Sequence, residues 1–87
     1  MRVDKFLQVS RIIKRRVVAK ELVENKRVII NDKTAKPASE VTIGDIIEIQ
    51  FGDTVLILKV LQVLDKIKKD EASEIYEILN RKRDNNE

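Results

Sequence analysis

The sequence predicts an α+β fold in which two short helices precede a small sheet and a further helix closes the chain. Apolar residues recur at helical spacing up to about residue 25, short β-branched runs follow Arg27, and helical spacing returns over residues 71–82. With 87 residues, 43% of them hydrophobic, the chain predicts one small domain. We expect residues 1–65 to form this domain and residues 66–87 to supply a linker and a helix that packs on it or extends it.

The first helix is predicted over about residues 5–12. Asp4 is its expected N-cap, because a carboxylate can accept the free N–H groups of a first turn. The residues expected to face the core here are Val3, Phe6, Leu7, Val9, Ile12 and Ile13. A second helix is predicted from Lys14 or Arg15 to Asn25. Its apolar stripe consists of Val17, Val18, Ala19, Leu22 and Val23.

The sheet is predicted from three runs of β-branched and apolar residues. The strand Val28–Ile30 leads into an Asn31-Asp32 turn, whose residues tolerate the left-handed backbone of a tight hairpin. Residues 46–50 and 54–64 predict a second hairpin, whose longer strand is apolar on much of both faces. Gly44 is expected to adopt a positive φ in the turn before it.

The end of the chain predicts a helix over about residues 71–82, with Asp70 as its cap. Its expected apolar face consists of Ala72, Ile75, Tyr76, Ile78 and Leu79. Lys66, Lys68 and Lys69 form a separate basic patch before it. Those three lysines fit either a solvated linker or an additional contact surface.

Positive charge is concentrated in the first part of the chain. Residues 1–36 hold eleven Lys or Arg and four acids, whereas residues 37–87 hold seven and eleven. The cations predicted to meet nucleic-acid phosphates are Arg2, Lys5, Arg11, Lys14, Arg15 and Arg16, which accompany the single acid Asp4. Further contacts are expected from Lys20, Lys26, Arg27, Lys33 and Lys36. This distribution favours a surface for nucleic-acid phosphates, although solvated side chains alone would also explain it.

The composition excludes several kinds of chemistry. Without Cys or His, the chain has no zinc knuckle, disulfide, thiol nucleophile or imidazole base. We expect no cofactor, no bound metal and no enzymatic activity; an alternative would be a carboxylate pair of Asp4 with Asp45 or Asp53. A protein–protein module of ubiquitin-like shape is another alternative. The charged amino terminus and short apolar runs predict a cytoplasmic protein without a membrane partner.

Several spaced blocks resemble the αL RNA-binding motif named after small-subunit ribosomal protein four. These blocks are Arg2-Val3-Asp4-Lys5-Phe6-Leu7, Arg15-Arg16-Val17-Val18-Ala19, Val28-Ile29-Ile30-Asn31, Ala35-Lys36-Pro37 and Gly44-Asp45-Ile46. The resemblance implies two antiparallel helices on a small bent antiparallel sheet, with the basic helix pair against structured RNA. Lys26 and Asp32 stand where the family commonly has Gly. We therefore expect either strain at Lys26 or a different helix end.

The length, the Lys14-Arg15-Arg16 run and the ending DEASEIYEILNRKR resemble the RqcP family of bacterial ribosome-associated quality control factors, relatives of a small ribosome-binding heat shock protein. The resemblance implies a monomer that binds 23S rRNA and tRNA on large ribosomal subunits holding peptidyl-tRNA. It also implies support for untemplated alanine tailing of stalled chains, beside a partner protein that recruits alanyl-tRNA. The RNA-facing block that this resemblance implies consists of Arg2, Asp4, Lys5, Arg11, Lys14, Arg15 and Arg16. Arg2 and Arg16 are the first candidates for direct contact. Ribosome assembly or heat-shock RNA chaperoning is the alternative role.

Overall fold

A computed structural model of the chain describes residues 1–64 and 74–83. Two helices come first: α1 (Val3–Val9) and α2 (Arg16–Glu24). Five strands follow in chain order: β1 (Val28–Ile30), β2 (Lys33–Thr34), β3 (Ile46–Phe51), β4 (Thr54–Val60) and β5 (Tyr76–Arg83). Neither α1 nor α2 has the length and hydropathy of a membrane-crossing helix. The predicted α+β class is confirmed.

The five strands form one antiparallel sheet in the order β2-β1-β3-β4-β5. Its register aligns apolar side chains from successive strands: Ile47 of β3 lies opposite Ile30 of β1 and Leu58 of β4. Ile49 is likewise opposite Val28 and Leu56. Since alternate residues of a strand share a face, this register gathers the aliphatic side chains on one side of the sheet.

The helices contribute to the same apolar cluster as the sheet. Phe6 and Leu7 of α1 and Ala19 and Val23 of α2 are buried in one cluster with the aliphatic residues of β1, β3 and β4. Ile75, just before β5, is also part of it. The basic helix pair is therefore held by the core of the whole domain, which the aliphatic composition predicted.

The first helix begins earlier than the sequence indicated, so the predicted span of 5–12 and the predicted N-cap are wrong. The N-cap residue is Arg2, which makes no side-chain capping bond, and Asp4 lies inside the first turn. The N–H of Val3 donates to the carbonyl of Ser39 at 3.0 Å, and the Val3 side chain is fully buried. These contacts outside the helix draw its start toward the chain terminus.

The apolar stripe predicted for α2 is only partly correct. Ala19 and Val23 are buried and Leu22 is half-buried, but Val17 and Val18 are 68% and 41% exposed. Positions four apart lie on one helical face, so the face of Ala19 and Val23 meets the core while Val17 points elsewhere. Helical spacing alone could not decide which side of this valine-rich helix would be covered.

The predicted C-terminal helix is wrong over Tyr76–Arg83, because these residues form β5. They pair with β4 from Tyr76 opposite Val60 to Arg83 opposite Thr54, with an irregularity beside Ile57. Without β5, the backbone groups on that side of β4 would lack strand partners, so non-local pairing overrides the local helical spacing. Residues 71–73, the Asp70 cap, the lysines at 66, 68 and 69 and the domain boundary at 65/66 lie outside the described residues.

The second predicted hairpin is present, but its second strand is shorter than predicted. Phe51 lies opposite Thr54, so Gly52 and Asp53 form a two-residue loop with Gly52 at φ 50°. Strand β4 ends at Val60 rather than Leu64. Leu56, Leu58 and Val60 are buried on one face of β4 and Val55 on the other, so both faces are partly covered, although Lys59 is exposed.

Four positions expected or suspected to have a left-handed backbone do have one. Asn31 and Asp32 have φ 50° and 69°, as a tight β1–β2 turn requires, and Gly44 has φ 95°. Lys26 has φ 62°, and it ends α2 as Gly usually does. Its N–H donates to the carbonyl of Val23, and the N–H of Arg27 to that of Leu22, which is the Schellman arrangement. The helix end is thus of the family type, with a lysine in the strained position.

Replacing Lys26 by Gly should raise the free energy of unfolding by up to about 1 kcal/mol, because Gly adopts this backbone without the Cβ clash of an L-residue. Lys20→Gly, within the same helix, is the matched control and should lower it by about 1 kcal/mol. Urea unfolding monitored by circular dichroism measures both. A loss of stability in Lys26→Gly would show that the lysine side chain contributes more than its backbone costs.

Candidate nucleic-acid interface

The two helices are joined at their basic ends by an ion pair between Asp4 and Arg16. Asp4 is nearly buried; its Oδ1 accepts the N–H of Lys5 at 2.8 Å and lies 3.5 Å from Nη2 of Arg16. The Arg16 side chain is 50% exposed. One carboxylate oxygen therefore lies against the guanidinium from the protein side, while half of the arginine side chain faces solvent.

Arg2 is anchored to a different part of the chain. Its Nε and Nη2 both donate to the carbonyl of Pro37, at 3.2 and 3.0 Å. Arg2 also forms an isolated antiparallel bridge with Glu40, and the N–H of Val41 donates to the carbonyl of Met1. These bonds fasten the start of α1 to the segment after β2. The acceptor for Arg2 is a backbone carbonyl, for which the sequence carries no signal.

The structure places most of the predicted RNA-facing cations on the surface. Those that are exposed are Arg2, Arg11, Lys14, Arg15 and Arg16. Lys5 is half-buried, and Asp4 is the buried member of the set. Arg11 has φ 67° in the link between α1 and α2, and Arg15 is the N-cap residue of α2. The link and the first turn of α2 thus carry consecutive exposed cations.

The additional predicted cations are all exposed but are spread over α2, β2 and the segments that follow them. Lys20 lies on α2, Arg27 precedes β1 and Lys33 lies in β2. Lys26 and Lys36, ten residues apart in sequence, line the same cleft between the end of α2 and the segment after β2. Sequence reasoning did not predict this cleft, since it depends on how the β1–β2 hairpin folds back toward the helix.

Val17 and Val18 are exposed among these cations, beside Arg16 at the start of α2. Helical spacing predicts both valines in the apolar stripe of α2, so their exposure corrects that prediction. Their exposure gives the basic surface an apolar element, which is suited to contact with the sugar or base edges of a nucleic acid. Nothing in the helical spacing indicated this exposure, because both valines also fit an apolar stripe.

The acidic residues considered for catalysis have separate structural partners. The Asp45 carboxylate accepts the N–H and hydroxyl of Thr42 and the side-chain amide of Asn31, at 2.9, 3.2 and 3.0 Å. Asn31 in turn accepts the N–H of Ile46. Asp45 therefore stabilises two turns, while Asp4 holds Arg16. Among residues 1–64 and 74–83 no cluster of acidic side chains has the arrangement of a metal site.

Comparison with known proteins places this surface in a family. The family model of the S4 domain matches residues 1–47, a range that contains every predicted RNA contact. The chain belongs to the S4 domain family. This confirms the resemblance to the αL RNA-binding motif.

Two curated relatives match nearly the whole chain. The RQC P-site tRNA stabilizing factor of Streptococcus pneumoniae is 46% identical over 83 residues, covering 95% of this chain and 94% of the relative. The protein of the same name from Bacillus subtilis is 46% identical over 79 residues, covering 91% and 92%. The predicted similarity to bacterial quality control factors is therefore confirmed over more than nine tenths of the chain.

Solved structures agree on the fold. The trimeric structure of heat shock protein 15 from Vibrio cholerae superimposes with a TM-score of 0.81 at 30% identity, covering 90% of this chain and 80% of that one. The solution structure of a hypothetical protein gives a TM-score of 0.79 at 29% identity, covering 92% and 98%. The predicted relation to a small heat shock protein is confirmed at the level of the fold.

The contact between Asp4 and Arg16 should appear as an energetic coupling between the two helices. In a double-mutant cycle of Asp4→Asn and Arg16→Met, we expect a coupling of about 1 kcal/mol or less, since half of the Arg16 side chain is exposed to screening solvent. Urea unfolding of the two single variants and the double variant measures it. Strictly additive losses would mean that the ion pair contributes nothing to the fold.

Proposed function

We propose that the chain is an RNA-binding factor of ribosome-associated quality control that acts on large ribosomal subunits still holding peptidyl-tRNA. The observation that carries this proposal is the similarity to P-site tRNA stabilizing factors over more than nine tenths of the chain. It is supported by the position of the exposed cations inside the matched S4 region. The proposed location is accordingly the cytoplasm, on the ribosome.

The proposed contacts are electrostatic and non-catalytic. Arg15 and Arg16, with Lys14 beside them, meet the phosphates of 23S rRNA and tRNA, and Asp4 keeps the Arg16 guanidinium in place. Arg2 contributes while its Nε and Nη2 remain bonded to Pro37. A planar guanidinium presents several donors in a rigid fork, so one side chain can satisfy a protein acceptor and still address a phosphate.

Binding energy alone is sufficient for the proposed action. A helix pair that contacts rRNA and tRNA together favours the tRNA position in which both contacts form. A bias of about 1–3 kcal/mol would shift the population of that position roughly five- to 150-fold. Under this proposal a monomer holds tRNA in the P site during untemplated alanine tailing of the stalled chain, while a separate protein brings alanyl-tRNA.

The similarity to heat shock protein 15 favours one alternative, in which the chain acts as a ribosome-assembly or heat-shock RNA chaperone. The two functions differ in what the subunit must contain. A quality control factor requires peptidyl-tRNA, whereas an assembly factor or general chaperone binds vacant subunits equally well.

Co-sedimentation with purified large subunits tests the proposal. We expect the chain to prefer subunits that carry peptidyl-tRNA, and Arg2→Ala/Arg16→Ala to weaken binding by about tenfold or more, because each charge-assisted hydrogen bond is worth roughly 1.5–3 kcal/mol. Lys59→Met, which removes an exposed cation outside the S4 match, is the matched control. Equal binding to vacant subunits would favour the chaperone alternative, and binding to neither would refute both.

The salt dependence of the affinity gives an independent measurement. The logarithm of the affinity should fall linearly with the logarithm of salt concentration, because cations that bind phosphates release counterions. Arg16→Met should reduce the slope by about one, the release expected for one phosphate contact. Lys59→Met should leave it unchanged. An affinity independent of salt would contradict phosphate binding by this surface.

A further inference from the structure

The cleft that contains Lys26 and Lys36 has the size and lining of a ligand site. Its volume is about 430 Å³, within the range of about 300–1,000 Å³ typical of small-molecule sites. The residues that line it are Val23, Glu24, Lys26, Thr34, Ala35, Lys36 and Pro37. Val23 and Ala35 are buried beneath it, so the floor is apolar and the two lysines stand on opposite walls.

Both walls are held in place by hydrogen bonds, so the cleft is formed before a ligand binds. On one side, the Schellman bonds of Lys26 and Arg27 fix the end of α2. On the other, Arg2 donates twice to the carbonyl of Pro37, and the N–H of Lys36 donates to Oγ of Ser39 at 2.8 Å. A preformed site avoids the cost of ordering loops during binding.

The chemistry of the lining selects a ligand with a flat apolar body and a negative charge. The exposed Pro37 offers apolar surface beside the buried Val23 and Ala35, and Lys26 and Lys36 bring two positive charges to the cleft as counter-charges for a phosphate. The Glu24 carboxylate and Thr34 hydroxyl are acceptors for amino groups on the edge of a base. A nucleotide combines all of these features.

We propose that this cleft receives an unpaired RNA nucleotide, with its base against the apolar floor and its phosphates beside Lys26 and Lys36. The inference deepens the proposed function and rests on it, since it adds base recognition to a surface that otherwise contacts phosphates. Sequence-dependent RNA recognition generally uses bases that are splayed out of a helix. The cleft provides such a base with a site that is adjacent to the other cations of the S4 region.

A nucleotide fits this site better than a peptide does. The wall that carries Lys36 is fastened by Arg2, so the cleft is continuous with the surface predicted to contact RNA. Four cations in this part of the chain, at positions 26, 27, 33 and 36, are exposed. The acids interspersed with them in the sequence are Glu24 and Asp32. That balance complements a polyanion whose phosphates continue beyond the cleft.

The test compares two short RNA duplexes that differ in one base. One contains a single unpaired adenosine, and the other has an abasic residue at the same unpaired position, so both have the same number of phosphates. The wild-type chain should bind the first about fivefold or more tightly, at the low end of the range for base stacking because the floor is not aromatic. Fluorescence anisotropy at fixed salt measures both affinities.

Thr34→Leu fills the cleft from the exposed edge strand β2 and should abolish this preference. Ala38→Leu adds similar apolar bulk at an exposed position that does not line the cleft, and it should retain the preference. Lys36→Met should weaken binding of both duplexes. Circular dichroism confirms that the variants fold.

Equal wild-type affinity for the two duplexes, or a preference that survives in Thr34→Leu, would overturn the inference. If such a chain still co-sediments with large subunits, the proposed function stands and only the nucleotide site is refuted. Loss of co-sedimentation in Thr34→Leu without any base preference would assign the cleft to a protein ligand and would equally refute the inference. Failure of the wild type to bind subunits would refute the proposed function itself.

Discussion

The buried carboxylate of Asp4 is the constraint on which the basic end of the molecule depends. It is the one acid among the charged residues from position 2 to position 16, and it connects the first turn of α1 to the first residue of α2. A buried carboxylate is costly unless it is hydrogen-bonded or paired, and Lys5 and Arg16 supply those partners. One internal negative charge thus allows two cation-rich helix ends to approach each other.

The surface is assembled from segments that are distant in sequence. Hydrogen bonds from Arg2 and Val3 reach Pro37 and Ser39, so the amino-terminal helix and the loop after β2 have a fixed relative position. The carbonyl of Pro37 therefore serves an electrostatic function although its side chain is uncharged. Because backbone acceptors are present at every residue, only the three-dimensional structure identifies the one that is used.

Features determined by neighbouring residues could be predicted from the sequence, and those determined by distant pairing could not. The turn at Asn31-Asp32, the positive φ of Gly44 and the basic character of the helix ends follow from local chemistry. The helix predicted at the end of the chain is wrong where β5 forms, because the spacing of Ile75 and Leu79 is helical while Tyr76, Ile78 and Asn80 pair with β4. The same limitation applies to the cleft, whose walls come from α2 and from the segment after β2. The exposure of Val17 likewise depends on which helical face meets the core.

The S4 family model matches the helices and the first strands but stops inside the sheet. The matched region ends at residue 47, within β3, but Ile47 and Ile49 are fully buried and face Leu58 and Leu56 of β4. A shorter chain ending there would expose an incomplete strand and its unpaired backbone groups, which is a template for self-association. Strands β4 and β5 therefore complete the sheet on which the basic helices pack. A chimaera that borrows the basic helices must bring a strand to replace β4.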